Sequence, residues 1–273
     1  MTTPKSSKTR IHPTAIIEAG AVIADDVCIG PYSIVGSEVS IGAGTVLQSG
    51  VVVTGNVKIG SRNLIGHHVI IGAPPQLQKD LGPEVGVIIG DDNTFRECAT
   101  INSGTERGGG PTRIGNHCYL MIGAHVAHDC ILGDHVELIN NVLLAGHVKV
   151  EDGAIMSGAV GVHHFVTVGR LAFIGGMSRI VQDVPPFMLI EGSPSRVRGV
   201  NVVGLRRAGF DEARINALKN AHRIIYRTKL SRTRALQMIQ EGAMTADVEY
   251  LVRFIQNIAV GKQGRAREAL RKE

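Results

Sequence analysis

Residues 114–180 read IGNHCYLMIGAHVAHDCILGDHVELINNVLLAGHVKVEDGAIMSGAVGVHHFVTVGRLAFIGGMSRI. Every sixth residue from Ile114 is Leu120, Val126, Leu132, Leu138, Leu144, Val150, Met156, Val162, Val168, Ile174 and Ile180, so twelve successive positions are aliphatic or Met. Apolar residues make up about half of an average chain, and chance does not line up twelve of them at one spacing. A period of six fits neither the 3.6-residue helix nor simple strand alternation. It fits short strands joined by corners, three to an eighteen-residue coil, each coil stacked on the last as a solenoid.

The same register runs upstream. From Ile11 the sixth residues are Ile17, Ile23, Ile29, Val35, Ile41, Leu47, Val53, Ile59, Ile65 and Ile71, and Ile89, Phe95 and Ile101 keep step with them. Eleven positions of these runs are followed directly by Gly, which suits corners with special backbone angles. Trp is absent and aromatic residues make up 4% of the chain, so the core must be narrow and aliphatic. Residues 73–88 fill one coil's length but place Pro83 where an aliphatic is due, so part of them should bulge outward. Residues 102–113 slip the register by one, and their Gly run cannot be regular strand. Such loops on a rigid scaffold are where binding residues tend to sit.

The hexads end near Ile180. Residues 182–194 read as an exit linker, since Pro185 and Pro186 block helix and ladder alike. From Asp211 a helical pattern begins with Ile215, Leu218 and Ile225, and Thr245 should cap a further helix carrying Val248, Leu251, Ile255 and Ile258. The expected division is a β-solenoid over 1–190 and an α-helical domain over 191–273, the latter too small to be stable without neighbours. Residues 196–273 carry 17 Lys and Arg against 7 Asp and Glu, a balance of +10, whereas residues 1–195 balance at −5. No nucleic-acid-binding motif accompanies the basic segment, so nucleic acid is not the expected partner. Cys28, Cys98, Cys118 and Cys130 form no CxxC pair and read as free thiols of a reducing compartment. The polar first ten residues lack a signal peptide's apolar stretch, and no apolar run would cross a bilayer, so a cytoplasmic location is expected.

Stacking brings residues eighteen apart to within about 4.7–4.9 Å. His128 should therefore lie below Gly146 and Gly146 below His164, with His125, His147 and His163 close by and Asp129 adjacent in sequence. Single histidines on a solenoid's outer face are ordinary surface residues. A column of them fits a general base or a metal ligand instead. Gly146, lacking a side chain, could expose its N–H as an oxyanion donor.

The segments MIGAHVAHDC (121–130), AGHV (145–148), VHHF (162–165), QDVPPF (182–187) and GVNVVGLRRAGF (199–210) resemble the UDP-N-acetylglucosamine O-acyltransferases of lipid A synthesis. Asp129 favours them over the related N-acyltransferases, which usually have Asn after the catalytic His. The resemblance implies a left-handed parallel β-helix of hexapeptide repeats followed by a C-terminal α-helical domain. It implies transfer of a 3-hydroxyacyl chain from acyl carrier protein to the 3-OH of UDP-GlcNAc, by a homotrimer without cofactor or metal. By the same resemblance His128 is the general base, Asp129 its supporting carboxylate and Gly146 the oxyanion donor. His125, His147, His163 and His164 would bind substrate, Gly176 would set acyl length, and Asn201 and Arg207 would contact the nucleotide. Leu77, Asn102-Ser103, Val203 and Ala208 stand where that family usually has Asp, His-Arg, Glu and Arg. The main alternatives on this fold are an acyltransferase with another sugar-nucleotide acceptor and a γ-carbonic-anhydrase-like metal enzyme.

Overall fold

A computed structural model describes residues 9–77 and 83–259. Among the described residues, strands of mostly two residues stack in parallel into three sheets of 11, 9 and 9 strands, the largest closed by one antiparallel strand, forming the faces of a triangular solenoid. In nearly every strand the second residue points inward and the first outward, so the hexad aliphatics form the core. On the second face, for example, Val126, Leu144, Val162 and Ile180 are buried one above another. Corners are turned by glycines and by residues of positive φ, among them Asp129, Asn141 and His147, types that tolerate this region better than most. Cys118 and Cys130 fill corners, and burial pushes their thiols up to about 11 and about 12. Both are inert structural groups at neutral pH.

Two expectations need correction. Residues 73–88 hold no coil: Ile89 pairs with Ile59, thirty residues earlier, so twelve extra residues leave the solenoid between the second and third faces. Eighteen-residue spacing between Ile71 and Ile89 conceals this, because six residues of corner and strand plus twelve of excursion give the same sum. Residues 102–113 add seven residues to their coil, with Thr100 pairing His125 twenty-five residues on, which against a period of six reads as a slip of one. The proposed exit linker is also not a linker throughout. Met188–Glu191 still adds to the first face beside Phe173 and Ile174, then forms an antiparallel hairpin with Arg196–Val200. Pro185 and Pro186 lie at a corner, where no ladder N–H is required of them.

Among the described residues four helices follow: α1 Val202–Arg207, α2 Glu212–Arg227, α3 Arg232–Gln240 and α4 Ala246–Ala259. Asp211 caps α2 by accepting from Arg214 N–H, and Thr245 accepts from Val248 N–H at the start of α4. Ile224, rather than the expected Ile225, is the buried residue at that turn of α2. At six and nine residues, α1 and α3 are too short to show a readable helical period in the sequence. Phe187 is fully buried with Phe210 and Tyr250 at ring-centroid distances of 6.0 and 6.1 Å, which fastens the helices to the last coils.

Candidate active site

The corner after Val126 is the centre of the site. Asp129 has φ 61°, and the left-handed turn carries its carboxylate back toward the solenoid. There Oδ1 accepts from Thr105 N–H at 2.7 Å, Oδ2 accepts from the Thr105 hydroxyl at 3.0 Å, and Nδ1 of His128 lies 2.6 Å from Oδ2. Asp129 N–H in turn donates to Thr112 Oγ1 at 2.9 Å. Thr105 and Thr112 belong to the Gly-rich interruption, whose Gly108 is packed so tightly on Asp129 that a side chain there would collide with the carboxylate. Burial works against the charge on Asp129, but the bonds from His128 and Thr105 and the nearby His147 hold its carboxyl below the ordinary range.

With Nδ1–H given to Asp129, His128 keeps a lone pair on Nε2. Both residues are only 7% exposed, so this orientation is fixed by packing as well as by hydrogen bonds. One coil above lies Gly146. A Cβ on it would stand 2.5 Å from Nε2 and Cε1 of His128, so only glycine leaves the imidazole its place. Ala145 N–H and His147 N–H are spent on ladder bonds to Val162 and His128. Gly146 N–H between them has no hydrogen-bond partner among the described residues.

The vertical order read from the numbering holds: His147 N–H bonds to His128 C=O, and Phe165 N–H to Gly146 C=O. A pocket of about 920 Å³ opens along this corner, lined by His125, His128, Gly146, His147, His163 and His164. His125 Nδ1 is 2.7 Å from Thr100 Oγ1; burial, with His128 nearby, lowers its pKa and keeps it neutral. His147 meets the His128 ring edge-on at 5.0 Å and stacks on Phe165 at 4.4 Å. Phe165 and Thr105 were not foreseen. Phe165 stands eighteen residues after His147, so the register could have found it; Thr105 lies behind a slip and could not be placed. His128, Asp129 and His147 also put three potential metal donors within 4.8 Å. The Asp129 oxygens are already engaged by N–H and O–H donors, the arrangement of a carboxylate that orients a base.

Residues 183–265 match the family described as Udp N-acetylglucosamine O-acyltransferase, Domain 2, and residues 111–146 match the bacterial transferase hexapeptide (six repeats). A Syntrophobacter fumaroxidans protein named acyl-[acyl-carrier-protein]--UDP-N-acetylglucosamine O-acyltransferase is 46% identical over 248 residues, 90% of this chain and 96% of that one. The chain belongs to the UDP-N-acetylglucosamine O-acyltransferases. The Campylobacter jejuni UDP-N-acetylglucosamine acyltransferase superposes with a TM-score of 0.86 at 37% identity, covering 90% of this chain and 96% of that one. The Acinetobacter baumannii structure gives 0.87 at 39% identity over the same shares. As in these acyltransferases, the fold is the left-handed parallel β-helix with C-terminal helices that the resemblance implied, and the metal-enzyme alternative is not favoured. No helix among the described residues is long and apolar enough to cross a membrane.

Besides Asp129, which lies behind His128, three expected site residues of this acyltransferase do not line the pocket. Gly176 lies at the corner between the first and second faces, its missing Cβ 3.2 Å from Gly158 O. Asn201 is 6% exposed and caps α1: its Oδ1 accepts from Gly204 N–H and its Nδ2 donates to Leu171 C=O. Arg207 is exposed at the last turn of α1. Among the departures, Leu77 lines the pocket with Gln76 and gives its lip an apolar side chain. Asn102 anchors that same excursion, donating from Nδ2 to the Pro74 carbonyl at 2.9 Å. Val203 and Ala208 occupy the exposed surface of α1 and its C-cap.

Proposed function

We propose that this acyltransferase moves a 3-hydroxyacyl group from acyl carrier protein to the 3-OH of UDP-N-acetylglucosamine, the first step of lipid A synthesis, in the cytoplasm. The observation that carries the reading is the buried His128–Asp129 pair facing the unengaged N–H of Gly146. Nε2 of His128 takes the proton as the sugar oxygen attacks the thioester carbonyl, and the oxyanion accepts from Gly146 N–H. Collapse breaks the C–S bond, and the imidazolium returns its proton to the departing thiolate, leaving ester, thiol and neutral His128. His125, His147, His163 and His164 position the sugar and the acyl carbonyl. Mass spectrometry of products from UDP-GlcNAc and a mixed acyl carrier protein pool tests this directly. The expected product is the sugar nucleotide bearing one hydroxyacyl ester; no acylated nucleotide from any donor overturns it.

The working assembly is a homotrimer with active sites between subunits. Outward residues of the first face include Val46, Leu64, Ile155 and Phe173, and those of the second Ile34, Val52, Ile70 and Leu143. The third carries Ser40, Lys58, Arg113 and Lys149 among Val22, Ile88 and Ile131. Two largely apolar faces on one triangular rod suit a closed threefold ring. Gly176 would then face a neighbour, and Asn201 and Arg207 would serve a shared site. Light scattering of active enzyme should give three times the chain mass.

The basic helical segment serves as the dock for the acidic carrier protein. Arg223, Arg227, Lys229 and Arg232 form no ion pair among the described residues, whereas Arg234 pairs with Glu241 at 3.3 Å. Steering of this kind is screened over about 10 Å at 0.1 M salt. KM for acyl carrier protein should climb with ionic strength, and reversal to Glu at Arg223 and Arg227 should raise it roughly tenfold with little change in kcat. Unaltered KM and salt dependence in both variants would remove the tail from docking.

A further inference from the structure

A second recess, of about 910 Å³, lies between the last coil and the C-terminal helices. Val181 lines both this recess and the catalytic pocket, so the two adjoin at that residue. Val184, Ile190 and Ile255 give it apolar walls, and Arg196, Tyr226 and Arg232 give it polar ones. Neither guanidinium forms an ion pair, and the Tyr226 hydroxyl forms no hydrogen bond, among the described residues. The one carboxylate in the lining, Asp183, already accepts from Thr167 N–H at 2.8 Å. Burial pushes the Tyr226 hydroxyl up to about 12 against the opposing charge of Arg232, so it remains a donor at neutral pH. Beneath it the His222 ring, 5.2 Å away, is kept neutral by burial and by Arg227.

Two unpaired guanidiniums and a phenol O–H around one recess are the donor set for a phosphate ester, whose oxygens guanidinium forks match. We propose that this recess is a phosphate subsite for the acyl donor, holding the phosphodiester of the carrier protein's pantetheine arm between Arg196, Tyr226 and Arg232. The inference rests on the carrier protein being the donor. An arm anchored there runs past Val181 into the catalytic pocket with its thioester toward His128. Paired strands step from His125 through Leu143 and Gly161 to Arg179, three coil spacings or about 14 Å. A thioester and a phosphate at opposite ends of one extended, uncharged chain suit such a span. The apolar edge at Val181 and Val184 would lie against the uncharged part.

Full-length enzyme, UDP-GlcNAc and a pair of minimal donors test the subsite: 3-hydroxyacyl-phosphopantetheine and the same thioester lacking its phosphate. The wild type should show a KM about tenfold lower for the phosphorylated donor, the worth of one charge-assisted hydrogen bond. The double variant R196Q/R232Q should bring the two KM values together, and Tyr226→Phe should narrow the gap, without raising KM for UDP-GlcNAc. Tyr226→Phe also keeps the test open should the double variant fold poorly. Equal wild-type KM values for the two donors, or a preference that survives the substitutions, overturns the subsite while leaving the carrier protein as donor. A rise in the UDP-GlcNAc KM instead assigns the recess to the nucleotide diphosphate and also overturns it. Failure of the wild type with both minimal donors and with acyl carrier protein itself refutes the donor reading and the subsite together.

Discussion

Replacing His128 by alanine lowers turnover by about 10²–10⁴, the usual contribution of a positioned general base. The expectation rests on geometry: Nδ1 is held 2.6 Å from a carboxylate that is itself seated by Thr105, which leaves Nε2 the basic position facing the pocket. The variant should fold normally, since the aliphatic column beneath it is untouched and the ring contributes no apolar core. Steady-state kinetics with circular dichroism would check both halves. Activity near the wild-type level in a folded variant would remove His128 as the base and with it the proposed mechanism.

Gly146→Ala is the second large effect, with an expected loss of about 10²–10³ in kcat, comparable to losing an oxyanion donor. Its cause is unusual, because φ at this position is not in the left-handed region. The added Cβ would stand 2.5 Å from the His128 ring, so the imidazole must swing away from Asp129 or the corner must open. Binding of UDP-GlcNAc, measured by calorimetry, should change far less than kcat. A fully active Gly146→Ala enzyme would mean that neither the ring position nor this N–H matters to the chemistry.

The histidine column was legible in the sequence because parallel stacking converts numbering into distance. His128, Gly146 and His164 are eighteen apart, and so are Asp129, His147 and Phe165, which form the neighbouring column at the same corner. Legibility ended where the period was broken. The excursion after Ile71 imitated a coil because twelve extra residues happen to restore the count. Thr105, which seats Asp129, lies across a one-residue slip, and no periodic argument could bring residues 105 and 129 together. Asn201 resisted for another reason. Its side-chain bonds are those of a helix cap and a stitch to Leu171, roles that depend on α1, whose six residues are too few to show a helical period.

The base and the N–H opposite it sit on adjacent rungs, fixed by bonds from Ala127 N–H to Leu144 C=O and from His147 N–H to His128 C=O, at 3.1 and 3.0 Å. Their separation is therefore set by the repeat distance of a parallel sheet and not by the conformation of a loop. Warming the protein should leave that spacing unchanged until the rungs themselves part. Heat inactivation and cooperative melting of the solenoid would then be one event, with no earlier temperature at which an intact rod carries a disordered centre.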